Sequence, residues 1–423
     1  MIALLFVSNV AFAGEIDILV QKLVEKGILS PGEAQQIVTE TKEEVKKEIA
    51  KGTYSSFPAW VQNTKLKGDF RLRYQYDHAK FLANSTTNKD GDQNRARIRA
   101  RLGLESKVND KLLVGVGIAT GKSDDSGDAA RSTNITLGGD GGFGKDSIAL
   151  DYAFLQYSPT LWSTFVGGKF KNPLWEPGDL IWDTDINPEG GVVKLSSIKL
   201  LSNAEIFMNA GVLLVENKKN WSADPTLFVV QPGIVYNFND KVQLKGAFSF
   251  YDFTGTKGKV LSGSSGTNSG ASTGLLYDYR NIIPAAEIGI KEPLKFLKLD
   301  IPYLGLFGEY VQNVAIDSTG KNNTGFMAGF KFGAEKIEKW ADWQFRYNYA
   351  MLGRDAILDI LPDSDRYGGK TGMRSHELGF DWGLGKNAWL ALDGYYGWRL
   401  KGNFGSTQSK PASVLQVDWN IRF

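Results

Sequence analysis

The chain contains no cysteine and only two histidines, His78 and His376. The first absence excludes disulfides, thiolate metal sites, haem attachment and cysteine nucleophiles, and it fits an exported protein that is not cross-linked covalently. The scarcity of imidazole leaves Ser375-His376 as the one adjacent pair for a hydrolase, and neighbours on a strand point to opposite faces, so they cannot act as nucleophile and base. Also missing is any run of the about 18 to 20 apolar residues that a membrane helix needs. With 23% of residues charged and a mean hydropathy of −0.24, a helical membrane protein is excluded. A formal net charge of +2 points to no class of partner. Gly117 to Ser123 resembles the end of a phosphate-binding loop, but glycine is required where Val116 stands, and Asp124-Asp125 follow in place of a helix. Nothing else calls for a cofactor, and no catalytic residue is identified.

What the chain has instead is 24 phenylalanines, 16 tyrosines, 11 tryptophans and 48 glycines. That load is heavy for a soluble enzyme of this polarity. Transmembrane β-barrels use both, with aromatics at the two membrane interfaces and glycine in turns and crowded walls. At the C-terminus Leu415, Val417, Trp419, Ile421 and Phe423 alternate with Gln416, Asp418, Asn420 and Arg422. Such a strand suits a wall with lipid outside and water inside.

The same two-residue period begins at Lys65. Leu66, Gly68, Phe70, Leu72, Tyr74 and Tyr76 alternate with Lys67, Asp69, Arg71, Arg73 and Gln75; in the next segment Ala96, Ile98, Ala100, Leu102 and Leu104 alternate with Arg95, Arg97, Arg99, Arg101 and Glu105. A third, Lys111 to Gly121, turns Leu112, Val114, Val116 and Ile118 outward and Gly115, Gly117 and Ala119 inward. Further strands are expected near 146–157, 164–171, 190–200, 204–215, 226–238, 241–253, 281–292, 303–314, 324–333, 341–352, 373–384, 388–399 and 412–423, about 16 in all. Short turns at Asn109-Asp110, Asn239-Asp240 and Gly385-Lys386-Asn387 alternate with long loops such as 122–145, 254–280 and 353–372, as the periplasmic and external ends of a bacterial barrel require. Counts of fourteen or eighteen stay open. The Gly/Ser/Thr stretch 262–274 reads as a flexible external loop, and Asp124, Asp125, Asp128, Asp363 and Asp365 read as solvated loop residues rather than calcium ligands. The fold class is therefore all-β: a transmembrane antiparallel β-barrel over 65–423, preceded by a short α-helical segment.

Residues 1–13 read as a signal peptide, an apolar run ending in Ala11-Phe12-Ala13, although no basic segment precedes it. Residues 14–52 change period. Ser30-Pro31-Gly32-Glu33 is a helix start with proline at the first helical position and an acid at the third, and the helix should run to about Lys51. Its many charges suit a solvated linker; Val38 and Val45, one heptad apart, equally suit a periplasmic coiled coil that holds a trimer together.

Three stretches carry a family likeness: Gly68-Asp69-Phe70-Arg71-Leu72-Arg73-Tyr74, Asn94 through Gly103 with its four arginines, and Gly167 to Pro173 continuing to Asp183-Thr184-Asp185-Ile186-Asn187-Pro188-Glu189-Gly190. The chain resembles the "putative porin" family of Gram-negative outer membranes, in which a short helical region precedes a β-barrel. The resemblance implies passive diffusion of small hydrophilic solutes and ions, no enzymatic activity and an outer-membrane location among lipid and lipopolysaccharide. It also implies that terminal Phe423 is read by the barrel-assembly machinery. It brings no substrate-binding residues.

The candidate site rests on the arginines. Arg71, Arg73, Arg95, Arg97, Arg99 and Arg101, on neighbouring antiparallel strands, form a guanidinium ladder on the inner wall. Gly115, Gly117 and Ala119 are expected to leave room for them. The third external loop, about 172–190, carries Glu176, Asp179, Asp183, Asp185 and Glu189; folded inward against the ladder it would form a constriction and set a transverse field. A static salt-bridge lattice that only stiffens the wall is the competing reading. Tyr74, Tyr76, Trp162, Trp340, Trp343, Trp382, Trp389, Trp398 and Phe423 are assigned to interfacial girdles. Because the arginines lie on an inward face, nucleic-acid binding has no support. The function expected is a diffusion channel, assembled as a homotrimer; a structural barrel acting as an envelope tether, or as a sheath for an electron-transfer partner, is the alternative.

Overall fold

The computed structural model describes residues 20, 22–24, 26, 29–30, 32–40, 43, 59–79, 91–121, 130–139, 144–219, 223–316, 322–400 and 411–423. The chain divides into two units, Met1–Thr64 and Lys65–Phe423. In the first, residues 32–40 are helical. Their start is a reciprocal capping box: the Ser30 N–H donates to Glu33 Oε2 at 2.9 Å and the Glu33 N–H to Ser30 Oγ at 3.3 Å, so two helix-end donors that water would otherwise serve are satisfied. Residues 1–13, Val45 and the acids Asp124, Asp125 and Asp128 lie outside the described residues.

The second unit is one antiparallel sheet. Its strands are β1 (Thr64–Ala79), β2 (Gly91–Lys107), β3 (Leu112–Thr120), β4 (Ile135–Thr136), β5 (Ile148–Tyr157), β6 (Ser163–Lys169), β7 (Glu189–Leu201), β8 (Ala204–Leu214), β9 (Thr226–Asn237), β10 (Val242–Thr254), β11 (Tyr279–Lys291), β12 (Tyr303–Asn313), β13 (Thr324–Gly333), β14 (Trp340–Leu352), β15 (Met373–Gly385), β16 (Ala388–Arg399) and β17 (Ala412–Arg422). β4 is a two-residue patch on β2; the other sixteen close into a ring through β1 and β17. Every strand thus has a neighbour on both sides, which removes the unpaired edges that no membrane tolerates. The last residue completes the seam. Phe423 and Gly68 exchange backbone hydrogen bonds of 2.9 and 3.0 Å, and the Phe423 ring lies over the bare α-carbon of Gly68, where a Cβ would come within 2.4 Å of it.

Two of the tight turns share one device. The side-chain oxygen of Asn109 accepts the N–H groups of Lys111 and Leu112, and that of Asn239 accepts those of Lys241 and Val242, all at 2.9 Å. An asparagine bonded to the backbone two residues on is a ready-made turn.

Alternation places Leu72, Leu102, Val116, Leu392 and Val417 on the exposed outer face and Arg73, Gln75, Asp393, Gln416 and Asp418 inside. The inner face is not uniformly wet. Val192, Leu213, Leu227, Val229, Tyr251, Phe253, Ile283, Val311 and Met327, all on β7 to β13, point inward and are buried. They pack against Leu180, Ile181, Ile357 and Leu358, which are 0% exposed although they come from loops. Part of the bore therefore holds a hydrophobic core. Gly115 and Gly117 do not make room for arginines. A Cβ on Gly115 would lie 2.4 Å from the ring of Phe154, and one on Gly117 2.3 Å from that of Tyr152, so aromatic side chains of β5 occupy the space.

Candidate functional site: a loop-filled lumen

The third external loop, 170–188, crosses the bore. Its Trp175 N–H donates to Gln231 Oε1 on β9 at 2.8 Å, Trp182 Nε1 to the Tyr251 hydroxyl on β10 at 2.9 Å, and the Leu180 N–H to Glu309 Oε1 on β12 at 3.3 Å. Asp185 accepts from Arg101 on β2 at 2.5 Å. In a sixteen-strand ring β2 and β10 stand nearly opposite, so a segment bonded to both spans the lumen.

Each arginine of the ladder is held differently. Arg73 is clamped by Asp418 through bonds of 2.7 and 2.8 Å and by Asp365 at 3.0 Å. Arg71 lies 3.3 Å from the same Asp418 and donates to Asn420. Arg95 pairs with Asp77 at 2.6 Å, and Arg99 with Asp69 at 2.8 Å and with Asp185 at 3.9 Å. Arg97 binds neutral oxygens, Gln75 Oε1 at 2.9 Å, Ser132 Oγ and the Asn134 carbonyl. In the loop, Asp179 accepts from Arg366 at 2.8 Å, Asp183 from the Ser364 N–H at 2.8 Å, and Glu176 from the Tyr251 hydroxyl at 3.2 Å. Glu189 stands apart on β7, paired with Lys169.

Electrostatically the loop acids divide. Burial raises the Asp185 carboxyl, but Arg101, Arg99 and Arg71 outweigh it and hold the group below the ordinary range. Asp183 has no such neighbours; burial, then Asp185, pushes it up to about 8. Glu176 is raised by burial and by Glu309 facing it.

A cavity of about 300 Å³ remains beside the loop, lined by Arg71, Arg73, Asp179, Asp183 and Asp185 together with Arg346, Asp381, Asp393, Asp418, Trp389 and Tyr395. A second, of about 170 Å³, is lined by Arg95, Arg97, Gln75 and Asp77 among others. Arg99, Arg101, Glu176 and Glu189 line neither.

The family model described as "putative porin" matches residues 76–286 and 272–423, which is most of the chain. The chain belongs to the putative porin family. Among solved structures, OprB of Pseudomonas putida is 11% identical, with 86% of this chain and 95% of that one covered and a TM-score of 0.53. OmpT of Vibrio cholerae in its trimer form is 12% identical over 85% and 99%, at 0.46; a triple mutant of the Rhodopseudomonas blastica porin is 10% identical over 85% and 100%, at 0.42. The likeness to OprB is one of fold. A search of curated proteins finds no match. This porin family member is an outer-membrane β-barrel of a bacterium, and its family and fold point to a non-enzymatic channel.

Several residues that shape the porin's lumen escaped the sequence reading. Loop 353–372 also folds inward: Asp363 lines the larger cavity and Asp365 both cavities, so they are not solvated acids on an outer loop. The 262–274 stretch is packed, with Thr267 and Asn268 buried and both backbone N–H groups bonded to Asp359. The signal was present in the apolar residues of Ala356-Ile357-Leu358-Asp359-Ile360-Leu361, which an external loop has no reason to carry. Trp389 lines the cavity with Arg422 over its ring, and so leaves the girdle. Ser375 turns inward to Arg366 while His376 meets Tyr347, as adjacent strand residues must.

Proposed function

We propose that this protein is a passive diffusion channel for small hydrophilic solutes and ions, in which loop three and the arginine-bearing wall form the constriction. The observation that carries the reading is the open space of about 300 Å³ left between them, bounded by Arg71 and Arg73 on one side and Asp179, Asp183 and Asp185 on the other. Opposed fixed charges across a narrow aqueous gap select solutes by size and by the alignment of their charge or dipole, with no covalent step. The ion pairs also stiffen the wall, so the lattice reading and the field reading describe the same side chains.

Further elements of the proposal are a cleaved signal peptide over 1–13, a periplasmic helical segment over 14–52, a barrel over 65–423 in contact with lipid and lipopolysaccharide, and assembly as a homotrimer. Support for the trimer is the heptad spacing of Val38 and Val45; crosslinking in the membrane followed by mass measurement tests it. The channel is tested by planar-bilayer recording. Open current from the purified protein is expected, with altered conductance or ion selectivity in Arg71→Ala and Arg73→Ala, the two ladder arginines that line the larger cavity. Unaltered values in both remove these arginines from the pathway. Absence of current from the wild type favours a tether or an occupied sheath instead.

A further inference from the structure

Two of the lumen cavities, about 300 and about 170 Å³, have three lining residues in common: Ser364, Asp365 and Tyr395. The first two are the tip of the seventh external loop, 353–372, and Tyr395 is on β16. A solute moving from the cavity at Asp77 and Arg95 to the one at Arg71 therefore passes this tip. Opposite it stands Arg73, which binds Asp365 at 3.0 Å and is fixed from behind by its two bonds to Asp418.

The tip is held on every side. Arg131, buried and reaching in from the second loop, donates through Nη1 to the carbonyls of Asp359 at 3.0 Å and Gly369 at 2.9 Å. The Asp359 carboxylate accepts the Thr267 N–H at 2.6 Å and the Ser264 hydroxyl at 2.8 Å from the fifth loop. Loop three adds Asp183, which receives the Ser364 N–H, and Asp179, which receives Arg366. Behind the ring is Gln416, only 1% exposed, between Asp418 of the larger cavity and Val414 of the smaller. Neither atom of its side-chain amide has a hydrogen-bond partner.

We propose that the narrowest ring of the pore is made by the seventh loop, with Asp365 against Arg73 and Ser364 and Tyr395 beside them, and that Asp365 is the residue that sets ion preference there. Loop three lines the larger cavity beside this ring and also braces the tip through Asp183 and Asp179. The inference rests on the channel reading and adds to it the specificity-determining position. Removing the Asp365 carboxylate takes one negative charge from the ring and frees one edge of Arg73, so anions gain.

The chain has no native cysteine, which makes a thiol probe specific. Asp365→Cys and, as a second variant, Ser364→Cys are recorded in planar bilayers before and after a negatively charged methanethiosulfonate reagent, with Asn187→Cys, in a separate cavity of about 320 Å³ lined also by Thr133 and Asp151, as the comparison. Unmodified Asp365→Cys is expected to conduct more than wild type and to favour anions. Labelling at 365 or 364 is expected to lower single-channel conductance by roughly half or more, and labelling at 187 to change it little. Full labelling by mass at 365 and 364 with unchanged current overturns the inference while leaving the channel intact, as does a block at 187 alone. A silent wild type overturns the channel reading itself, and this inference with it.

Discussion

Asp183 and Asp185 are two residues apart in one loop and behave as opposites. Asp185 meets three arginines and stays ionised; Asp183, served by the N–H groups of Ser364 and Asp185, is pushed up to about 8 by burial and then by Asp185. A carboxyl raised in this way is neutral below that value and anionic above it. Its contribution to packing is complete below the unfolded pKa of about 3.9 and is lost as pH rises through about 8. The constriction accordingly gains negative charge between about pH 6 and about pH 9, and the cation-to-anion permeability ratio should rise over that interval. Reversal potentials in a salt gradient measure it, and Asp183→Asn should flatten the change. Alternation alone assigned the arginines to the inner face, because side-chain direction has a period of two. Their partners were not legible: Asp418 meets Arg73 from 345 positions away, a pairing created only when the ring closes.

Strands were readable because lipid on one side imposes the period, and even the seven-residue β6 kept it; β7 breaks it where its pairing with β8 shifts register between Leu195 and Ile198. Packing between strands was not. Gly103 and Gly117 form a cradle for Tyr152: a Cβ on Gly103 would come within 1.8 Å of its hydroxyl and one on Gly117 within 2.3 Å of its ring. Gly103→Ala and Gly117→Ala should each cost about 1–3 kcal/mol through overpacking. Gly394→Ala, where a Cβ meets nothing within 4 Å, serves as control, and urea midpoints of the heat-modifiable barrel on gels are the measurement. Loops obey no period, so the interlock of the fifth and seventh stayed hidden. Asp359, 1% exposed, accepts from Ser264, Thr267 and Asn268. Asp359→Ala strands those donors at about 1–3 kcal/mol apiece. The expected outcome is protease cleavage within 255–278 or 353–372 and a larger single-channel conductance in a barrel that still resists heat.

At the scale of the molecule, two solvents meet this wall and a third environment sits within it. The outer face of each strand is apolar where it crosses the bilayer, whereas the inner face carries a buried apolar cluster on β7 to β13, packed on loops, and a cluster of charges on β1, β2 and β14 to β17. That division explains why two-residue alternation sorted outside from inside cleanly yet overstated how wet the inside is: Leu227 and Phe228 on β9 are both apolar, the one 1% exposed and the other 47%, and no sequence period separates a residue facing lipid from one facing an infolded loop. The outer face can be tested without touching the channel. Val116, midway along β3 and 44% exposed, should meet the bilayer near its centre. Val116→Arg is then expected to destabilise folding into lipid vesicles by about 2–4 kcal/mol, and Val108→Arg, in the turn beyond the end of β2, by about 0–1 kcal/mol, because the cost of a cation falls with distance from the midplane. Equal penalties at the two positions would mean that the exposed apolar band is not in lipid.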